Sequence, residues 1–456
     1  MDESAATWAT DTFGHADLGD CRRVRRVVAM VAQLAQQPAG RITAAFGEAA
    51  AREAAYRFVE NDGFSASDLG AAMFQASARQ ASAWKEVIVP VDGVTFTVAH
   101  TGRGFGPVSV KHHAHGAHAM TALALTPNGV PLGVLGQVFW TRSSKHAPVY
   151  AKDRRPITER ETGYWLTAIT QASQALQRHA PSTRPWFQLD RGGDCADVLL
   201  HALGTDADVT VRACYDRVVT GGKLWGKAAR GTYLGAYPLR IAKPGQVPRM
   251  ATIHVRARVV ELHLRPGGLP RNRLERQHMW VVEARELRRS GVLWRLLTTK
   301  PATTLEQACR VIAAYTRRWR IEELHLAWKS GACGIEQSWL RRREHFYKWA
   351  TLTGAVAARL ERIKLLSRTE PDRNALDEFS RDEIDAAIAL RKPKGVAPGA
   401  TPTLGEVTRW IADIGGYTGK SSGGPPGIRV LGRGFDRVES AALALANLRE
   451  LSRIRG

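Results

Sequence analysis

A carboxylate, two cations and a phenol recur at helical spacing in the segment 315–329. The four residues are Tyr315, Arg318, Glu322 and Lys329. Separations of three, four and seven residues stay aligned at 3.6 residues per turn, so one helix would place all four on one face. Such a face could hold a divalent metal and a phosphate backbone together. An exposed helix with solvated charges is the alternative for this segment taken alone.

The apolar residues of the same segment fall on a different face. They are Ile321, Leu324 and Trp328, and they could bury against a core. We therefore predict a single helix from Thr304 to Lys329 that has one buried face and one chemically active face.

Two more carboxylates are each predicted to end a short apolar strand. Asp92 follows the run Val87–Val91, and Asp190 follows the run 186–189. A hairpin with its turn at 127–129 and a helix are predicted between them. This order of elements can bring the two strands side by side and both aspartates together, with the helix that carries Glu322 packed across them.

Three converging carboxylates repel one another unless a positive charge neutralises them. A divalent ion, typically Mg²⁺, supplies that charge with oxygen ligands. Two such ions can activate an attacking oxygen and stabilise a leaving oxygen in a displacement at phosphorus. The pattern therefore predicts a metal-dependent phosphoryl-transfer site.

The charge balance of the chain favours a polyanionic partner. Its 456 residues include 65 Lys and Arg against 43 Asp and Glu, a formal net charge of +22. Such an excess attracts nucleic acid or an anionic membrane surface. We predict no membrane association, because no apolar run is long enough to span a bilayer. The five cysteines form no CxxC pair, which predicts neither a zinc site nor disulfides and suits a reducing cytoplasm.

Composition and periodicity divide the chain into three predicted parts. These are a helical domain at 1–66, an α/β domain at 67–370 with a β-rich insertion at about 217–290, and a helical domain at 371–456. The first part contains predicted helices near 21–37 and 49–60, which resemble a helix-turn-helix unit. The first of these helices is strongly basic, through Arg22, Arg23, Arg25 and Arg26.

The C-terminal half is predicted to be mostly helical. A long helix is predicted at about 344–367, followed by a polar surface linker that includes 391–394. Further helices are predicted at 404–414 and from about 435 to 454.

The spacing of Tyr315, Arg318, Glu322 and Lys329 resembles the signature of DDE transposases of the insertion-sequence family called IS-four. The resemblance extends over nearly the whole chain and implies a ribonuclease-H-like mixed-sheet core. It implies that the catalytic, metal-binding residues are Asp92, Asp190 and Glu322. The implied cofactors are two Mg²⁺ ions, with Mn²⁺ as a substitute, and no small-molecule cofactor is implied.

The resemblance also implies which residues contact DNA. Arg318, Lys329 and Tyr315 would contact phosphates, and Arg212 would lie near the active site. Trp294 would stack on a base flipped out of the duplex. For Trp294 an ordinary core position remains the alternative.

The implied activity is cut-and-paste transposition. A homodimer would bind double-stranded transposon ends, cleave them through a hairpin and join them to target DNA in the bacterial cytoplasm, associated with the nucleoid. Two alternatives stay open: a DNA-binding regulator descended from a transposase, and a ribonuclease-H-like nuclease that cuts without joining.

Overall fold

The computed structural model describes a mixed α/β protein with an N-terminal helical region. The described residues are 5–99, 102–109, 114–142, 157, 160–241, 249–267, 274–288, 291–397, 399–419 and 424–455, without the side chains of 443 and 446–455. None of the helices in these ranges combines the length and the apolarity that crossing a bilayer requires.

Five helices form the N-terminal region. They are α1 (Ala5–Phe13), α2 (Cys21–Gln36), α3 (Ile42–Ala45), α4 (Ala49–Glu60) and α5 (Ala66–Ala81). The sequence patterns predicted α2 and α4 close to these bounds but missed the other three. Helix α2 begins where the Asp20 side chain accepts a hydrogen bond from the backbone N–H of Arg22, at 2.8 Å.

One mixed sheet runs through the centre of the molecule. Its first strands are β1 (Glu86–Val98), β2 (Gly106–Pro107), β3 (His115–Leu125), β4 (Pro131–Trp140), β5 (Arg184–Leu189) and β6 (Asp208–Arg212). β1, β3 and β4 form an antiparallel meander, whereas β5 pairs with β1 and β6 pairs with β5 in parallel. Helices α6 (Thr162–His179) and α7 (Ala196–Leu203) connect these strands.

The prediction that Asp92 ends its strand was wrong. β1 continues for six residues beyond Asp92, because its antiparallel pairing with β3 carries on, with Asp92 opposite Thr121. What ends at this point is the parallel pairing with β5, whose last pair is Val91 and Leu189.

The segment predicted as an insertion extends the same sheet. It contains β7 (Val218–Val219), β8 (Gly222–Lys223), the short helix α8 (Leu224–Ala229), β9 (Thr232–Ile241), β10 (Arg249–Leu264) and β11 (Glu275–Glu286). The next strand, β12 (Leu293–Thr298), pairs with both β11 and β6, and so joins these strands to the rest of the sheet.

The predicted single helix at Thr304–Lys329 is two helices. α9 spans Leu305–Arg317 and α10 spans Trp319–Lys329. Around Arg318 the backbone hydrogen bonds span three residues rather than four: its N–H donates to Tyr315 at 3.0 Å and its carbonyl accepts from Ile321 at 3.1 Å. This tighter turn separates the two helices.

Four helices complete the chain. They are α11 (Arg343–Thr369), α12 (Arg381–Arg391), α13 (Leu404–Ile414) and α14 (Ile428–Arg455). Helix α12 was not predicted, but it ends at Arg391, and residues 392–394 of the predicted surface linker are not helical. This helix begins with a reciprocal cap, in which the side chains of Ser380 and Glu383 each accept a hydrogen bond from the other residue's backbone N–H.

Candidate active site

The parallel register of β1 and β5 brings Asp92 and Asp190 to the same edge. Val91 pairs with Leu189, and the two aspartates are the next residue on each strand. Parallel strands point the same way, so residues that follow a matched pair stay neighbours. The predicted meeting of these two carboxylates follows directly from this register.

Helix α10 brings the third carboxylate to the pair. Its buried face contains Ile321, Leu324 and Trp328, as predicted. The Trp328 ring packs edge-on against Phe96 of β1, with 4.7 Å between ring centroids. Because this contact fixes α10 against β1, Glu322 lies on the side of the helix that faces the aspartates.

Arg318 links two of the three carboxylates. Its Nη1 donates to Asp92 Oδ2 at 2.7 Å, and its Nη2 donates to Glu322 Oε1 at 3.2 Å. Only 11% of the Arg318 side chain is exposed, so water screens these charges weakly. The sequence predicts that Arg318 contacts DNA phosphate. In the structure its guanidinium offsets part of the negative charge of Asp92 and Glu322.

The pKa of Asp92 reflects burial and the two neighbouring carboxylates. Burial raises its pKa, the charges of Asp190 and Glu322 raise it further, and Arg318 limits the rise, which leaves the pKa at about 6. Charges of like sign must lie close together to act in this way. The three acidic residues thus converge from β1, the end of β5 and α10.

A tight turn holds Asp190. Its Oδ1 accepts hydrogen bonds from the backbone N–H groups of Gly192, at 2.7 Å, and Gly193, at 3.4 Å. A side chain at Gly193 would meet Leu189 at 2.9 Å and Trp165 at 3.1 Å, so the turn packs closely against its surroundings. These contacts fix the direction of the carboxylate.

Tyr315, Arg212 and Trp294 lie beside the carboxylates. Burial raises the pKa of the Tyr315 phenol, while the adjacent guanidinium groups of Arg318 and Arg212 limit the rise. The partly buried Trp294 ring lies edge-on to Tyr315, with centroids 6.3 Å apart. Tyr315 and Arg212 thus lie close to Arg318, with Trp294 against Tyr315, and the helix break puts Tyr315 on α9. Their contacts with DNA stay predictions.

Lys329 points to a different acidic residue. Its Nζ lies 3.5 Å from Glu336 Oε1, and the same oxygen accepts a hydrogen bond from the Thr97 backbone N–H at 2.6 Å. The expected common face with Tyr315 and Arg318 is therefore not observed, because Lys329 pairs with Glu336 while Arg318 pairs with Asp92 and Glu322. Glu336, seven residues beyond Lys329, was not predicted as part of the site.

His325 lies inside the protein behind this cluster. Burial lowers its pKa to about 3, with Arg318 and Lys329 adding to the effect, so the imidazole is neutral near pH 7. Its Nε2 is buried and has no hydrogen-bond partner among the described residues.

The basic residues of α2 divide into two groups. Arg22, Arg25 and Arg26 are exposed. Arg23 instead contributes to the fold: its Nη1 donates to the Leu18 carbonyl at 2.7 Å. Three of the four arginines predicted to bind DNA are thus accessible to a phosphate backbone.

The donor set suits a hard divalent ion, although it is not arranged as a ready metal centre. In the ranges that the structure describes, no group of three or more His, Cys, Asp or Glu residues is placed to hold a metal ion. The three carboxylates have the oxygen ligands that Mg²⁺ prefers, and Arg318 provides positive charge between Asp92 and Glu322. Arg318 contacts one oxygen of each of these carboxylates, Asp92 Oδ2 and Glu322 Oε1.

Comparison with known families gives matches at both ends of the chain. Residues 5–64, which contain α1 to α4, match a family model described as transposase DNA-binding. Residues 355–449, from within α11 into α14, match a model described as the transposase Tn5 dimerisation domain. Together they support a Tn5-type transposase. DNA binding and homodimer formation have the same support, and the acidic cluster lies in the part of the chain between the two matched regions.

Proposed function

We propose that the chain is a DDE-type transposase that cuts the ends of a DNA element and joins them to a target. The observation that carries this proposal is the convergence of Asp92, Asp190 and Glu322 in a chain with transposase matches at both ends. An antiparallel meander followed by two parallel strands supports a ribonuclease-H-like core for this site.

The three carboxylates would hold two Mg²⁺ ions, for which Mn²⁺ could substitute. When bound, these ions would activate water or a 3′ hydroxyl and stabilise the leaving oxygen at phosphorus. Arg318 has a role of its own: released from a carboxylate, its guanidinium can bind a phosphate oxygen with the same fork of donors.

Other basic groups would position the DNA backbone. Arg212 and Tyr315 lie beside the cluster, and Lys329 could leave Glu336 for a phosphate. The exposed arginines of α2 would bind phosphates at the element's end. Such contacts contribute affinity and position the protein on the duplex, but they do not read the base sequence.

Two alternatives make different demands on the acidic cluster. A DNA-binding regulator would gain nothing from clustered carboxylates that repel DNA and that raise the pKa of Asp92 to about 6 together with burial. A simple nuclease would have no need of the dimerisation region matched at 355–449.

The function can be tested with DNA that carries the inverted repeats flanking the coding region. With Mg²⁺ we expect nicks at the repeat boundary, then hairpin ends, then joining to a plasmid, and none of these with scrambled repeats. Binding without cutting would favour the regulator. Cutting of both the repeat-bearing DNA and the scrambled DNA, without joining, would favour the nuclease.

Replacing Trp294 by alanine is expected to slow hairpin formation about tenfold, with a smaller effect on the first nick, because one base–aromatic stack is worth about 1–3 kcal/mol. Trp294→Phe keeps a ring and should retain most of the activity. The two steps can be separated on denaturing gels. Equal slowing of both steps would show that the ring serves packing against Tyr315.

A further inference from the structure

A largely buried ion pair lies next to the active site. The side chain of Asp194 has no exposure, and that of its partner Arg217 is 13% exposed. Arg217 Nη2 donates to the Asp194 carboxylate and also to the Asp194 carbonyl oxygen, at 2.7 Å. The second carboxylate oxygen accepts from the Cys214 backbone N–H at 2.6 Å.

Asp194 closes the turn that carries Asp190. The two residues are four positions apart, and the Asp194 N–H donates to the Arg191 carbonyl at 3.3 Å. Since the same turn contains the Gly192 and Gly193 N–H groups that hold the Asp190 carboxylate, a shift of Asp194 would shift those donors.

The backbone N–H of Cys214, which donates to the Asp194 carboxylate, lies close to Arg212 in the sequence. Cys214 comes two residues after Arg212, which ends β6 and whose guanidinium reaches Tyr315. One buried carboxylate therefore connects the turn after β5 to the segment after β6.

We propose that Asp194 and Arg217 are positioning residues that hold Asp190 and Arg212 in the relative places that DNA cleavage needs. The inference rests on the proposed function. Neither residue has to touch the substrate, because both act through backbone groups of the two segments.

The energetics of the pair favour a role in the site over a role in stability. Burying two charges costs solvation that their attraction does not always recover, so a buried pair is weak support for the fold. Burial also raises the pKa of Asp194 even with Arg217 beside it. A carboxylate kept there in spite of this cost suits a task that an apolar contact could not perform.

The chain contains a matched control for this pair. Arg184 begins β5 and Asp208 begins β6, and Arg184 Nε donates to Asp208 Oδ2 at 2.8 Å. This pair joins the same two strands at the end away from Asp190. Weakening it tests the effect of loosening the strands without disturbing the site.

The decisive variants are Arg217→Lys and, as the control, Arg184→Lys. Both contacts to Asp194 come from Arg217 Nη2. Lysine keeps the charge, but its Nζ lies one bond closer to the backbone than Nη2 and lacks the planar geometry of a guanidinium. We expect Arg217→Lys to lower the end-cleavage rate about 10- to 100-fold, as is typical when a residue that orients a metal ligand is changed. DNA-end binding and the unfolding temperature should stay near those of the wild type, and Arg184→Lys should cleave normally.

A second readout does not depend on turnover. Binding of Mn²⁺ to the end-bound complex, followed by electron paramagnetic resonance of the free ion, should weaken in Arg217→Lys and stay unchanged in Arg184→Lys. Equal loss of cleavage in both variants would overturn the proposal, as would normal cleavage by Arg217→Lys. Unfolding of Arg217→Lys alone would overturn it too, because the pair would then be needed for the fold.

Failure of the proposed function has a different signature. If Asp190→Ala still cleaved DNA ends, Asp190 would be excluded from the site, and the proposed three-carboxylate chemistry would fail. If Asp190→Ala were inactive while Arg217→Lys remained fully active, only the positioning role would be excluded.

Discussion

Replacing Asp92, Asp190 or Glu322 by alanine is expected to lower DNA-end cleavage by at least about 10²–10³-fold, the loss typical when one electrostatic contact to a transition state is removed. Each variant removes one of three carboxylates that converge at the site. Binding to the DNA end should be retained or strengthened, because a negative charge that repels phosphate has been removed. Gel-based cleavage and mobility-shift assays on the same DNA would measure both effects.

Glu323→Ala is a matched control for Glu322→Ala. Glu323 is the next residue of α10, but its carboxylate accepts from Arg320 at 2.6 Å instead of Arg318. We expect Glu323→Ala to keep far more cleavage activity than Glu322→Ala. Full activity in any of the three cluster variants would remove that residue from the site, and equal losses at the two glutamates would point to helix disruption.

Replacing Asp92 by asparagine is expected to stabilise the metal-free protein while abolishing cleavage. The pKa of Asp92 is raised to about 6 in the folded state, so ionisation at higher pH opposes folding. The gain at pH 8 is on the order of 1–3 kcal/mol, from a shift of about two pKa units at 1.36 kcal/mol per unit, reduced for partial solvent screening.

The pH dependence of this gain follows from the sign of the shift. Because the pKa of Asp92 is higher in the folded than in the unfolded state, Asp92 contributes to the stability of the wild type, fully below the unfolded pKa near 4. This contribution is lost as pH rises through about 6. The stability difference between Asp92→Asn and wild type should therefore be largest at pH 7–8 and shrink towards pH 4. Thermal unfolding in EDTA across this range would measure it.

Asp206→Asn serves as the comparison for this measurement. The Asp206 side chain is 94% exposed, and its substitution should change stability by less than about 0.5 kcal/mol at any pH. A difference between Asp92→Asn and wild type that grew towards acid pH would mean that Arg318 stabilises the Asp92 charge more than burial and the neighbouring carboxylates destabilise it.

Local patterns were sufficient to locate most elements that carry the site. Apolar runs predicted the strands before Asp92 and Asp190, because residues buried on both faces of a sheet form continuous apolar stretches. Helical spacing predicted the buried face of Ile321, Leu324 and Trp328. Some local signals were present but were not used: Ser380 and Glu383, spaced as in a capping box, marked the start of α12.

Other features of the site depend on contacts between distant residues. β1 extends past Asp92 only because β3 is available to pair with it. Arg318 reaches Asp92 across 226 positions of the chain, and this contact coincides with the turn between α9 and α10. Nothing in the spacing of Tyr315, Arg318, Glu322 and Lys329 distinguishes a guanidinium that binds phosphate from one that bridges two carboxylates.

The amino-acid order alone was enough to single out the three acidic residues and to predict strands and a helix around them, because hydrophobic periodicity and an aspartate directly after an apolar run are local properties. How their charges are balanced emerged only from the folded chain. A guanidinium binds whichever acceptors the packing of α10 against β1 brings within reach, and that packing is set by contacts such as Trp328 with Phe96. For the same reason Lys329 contacts Glu336, and Asp194 connects two segments whose proximity is a property of the sheet.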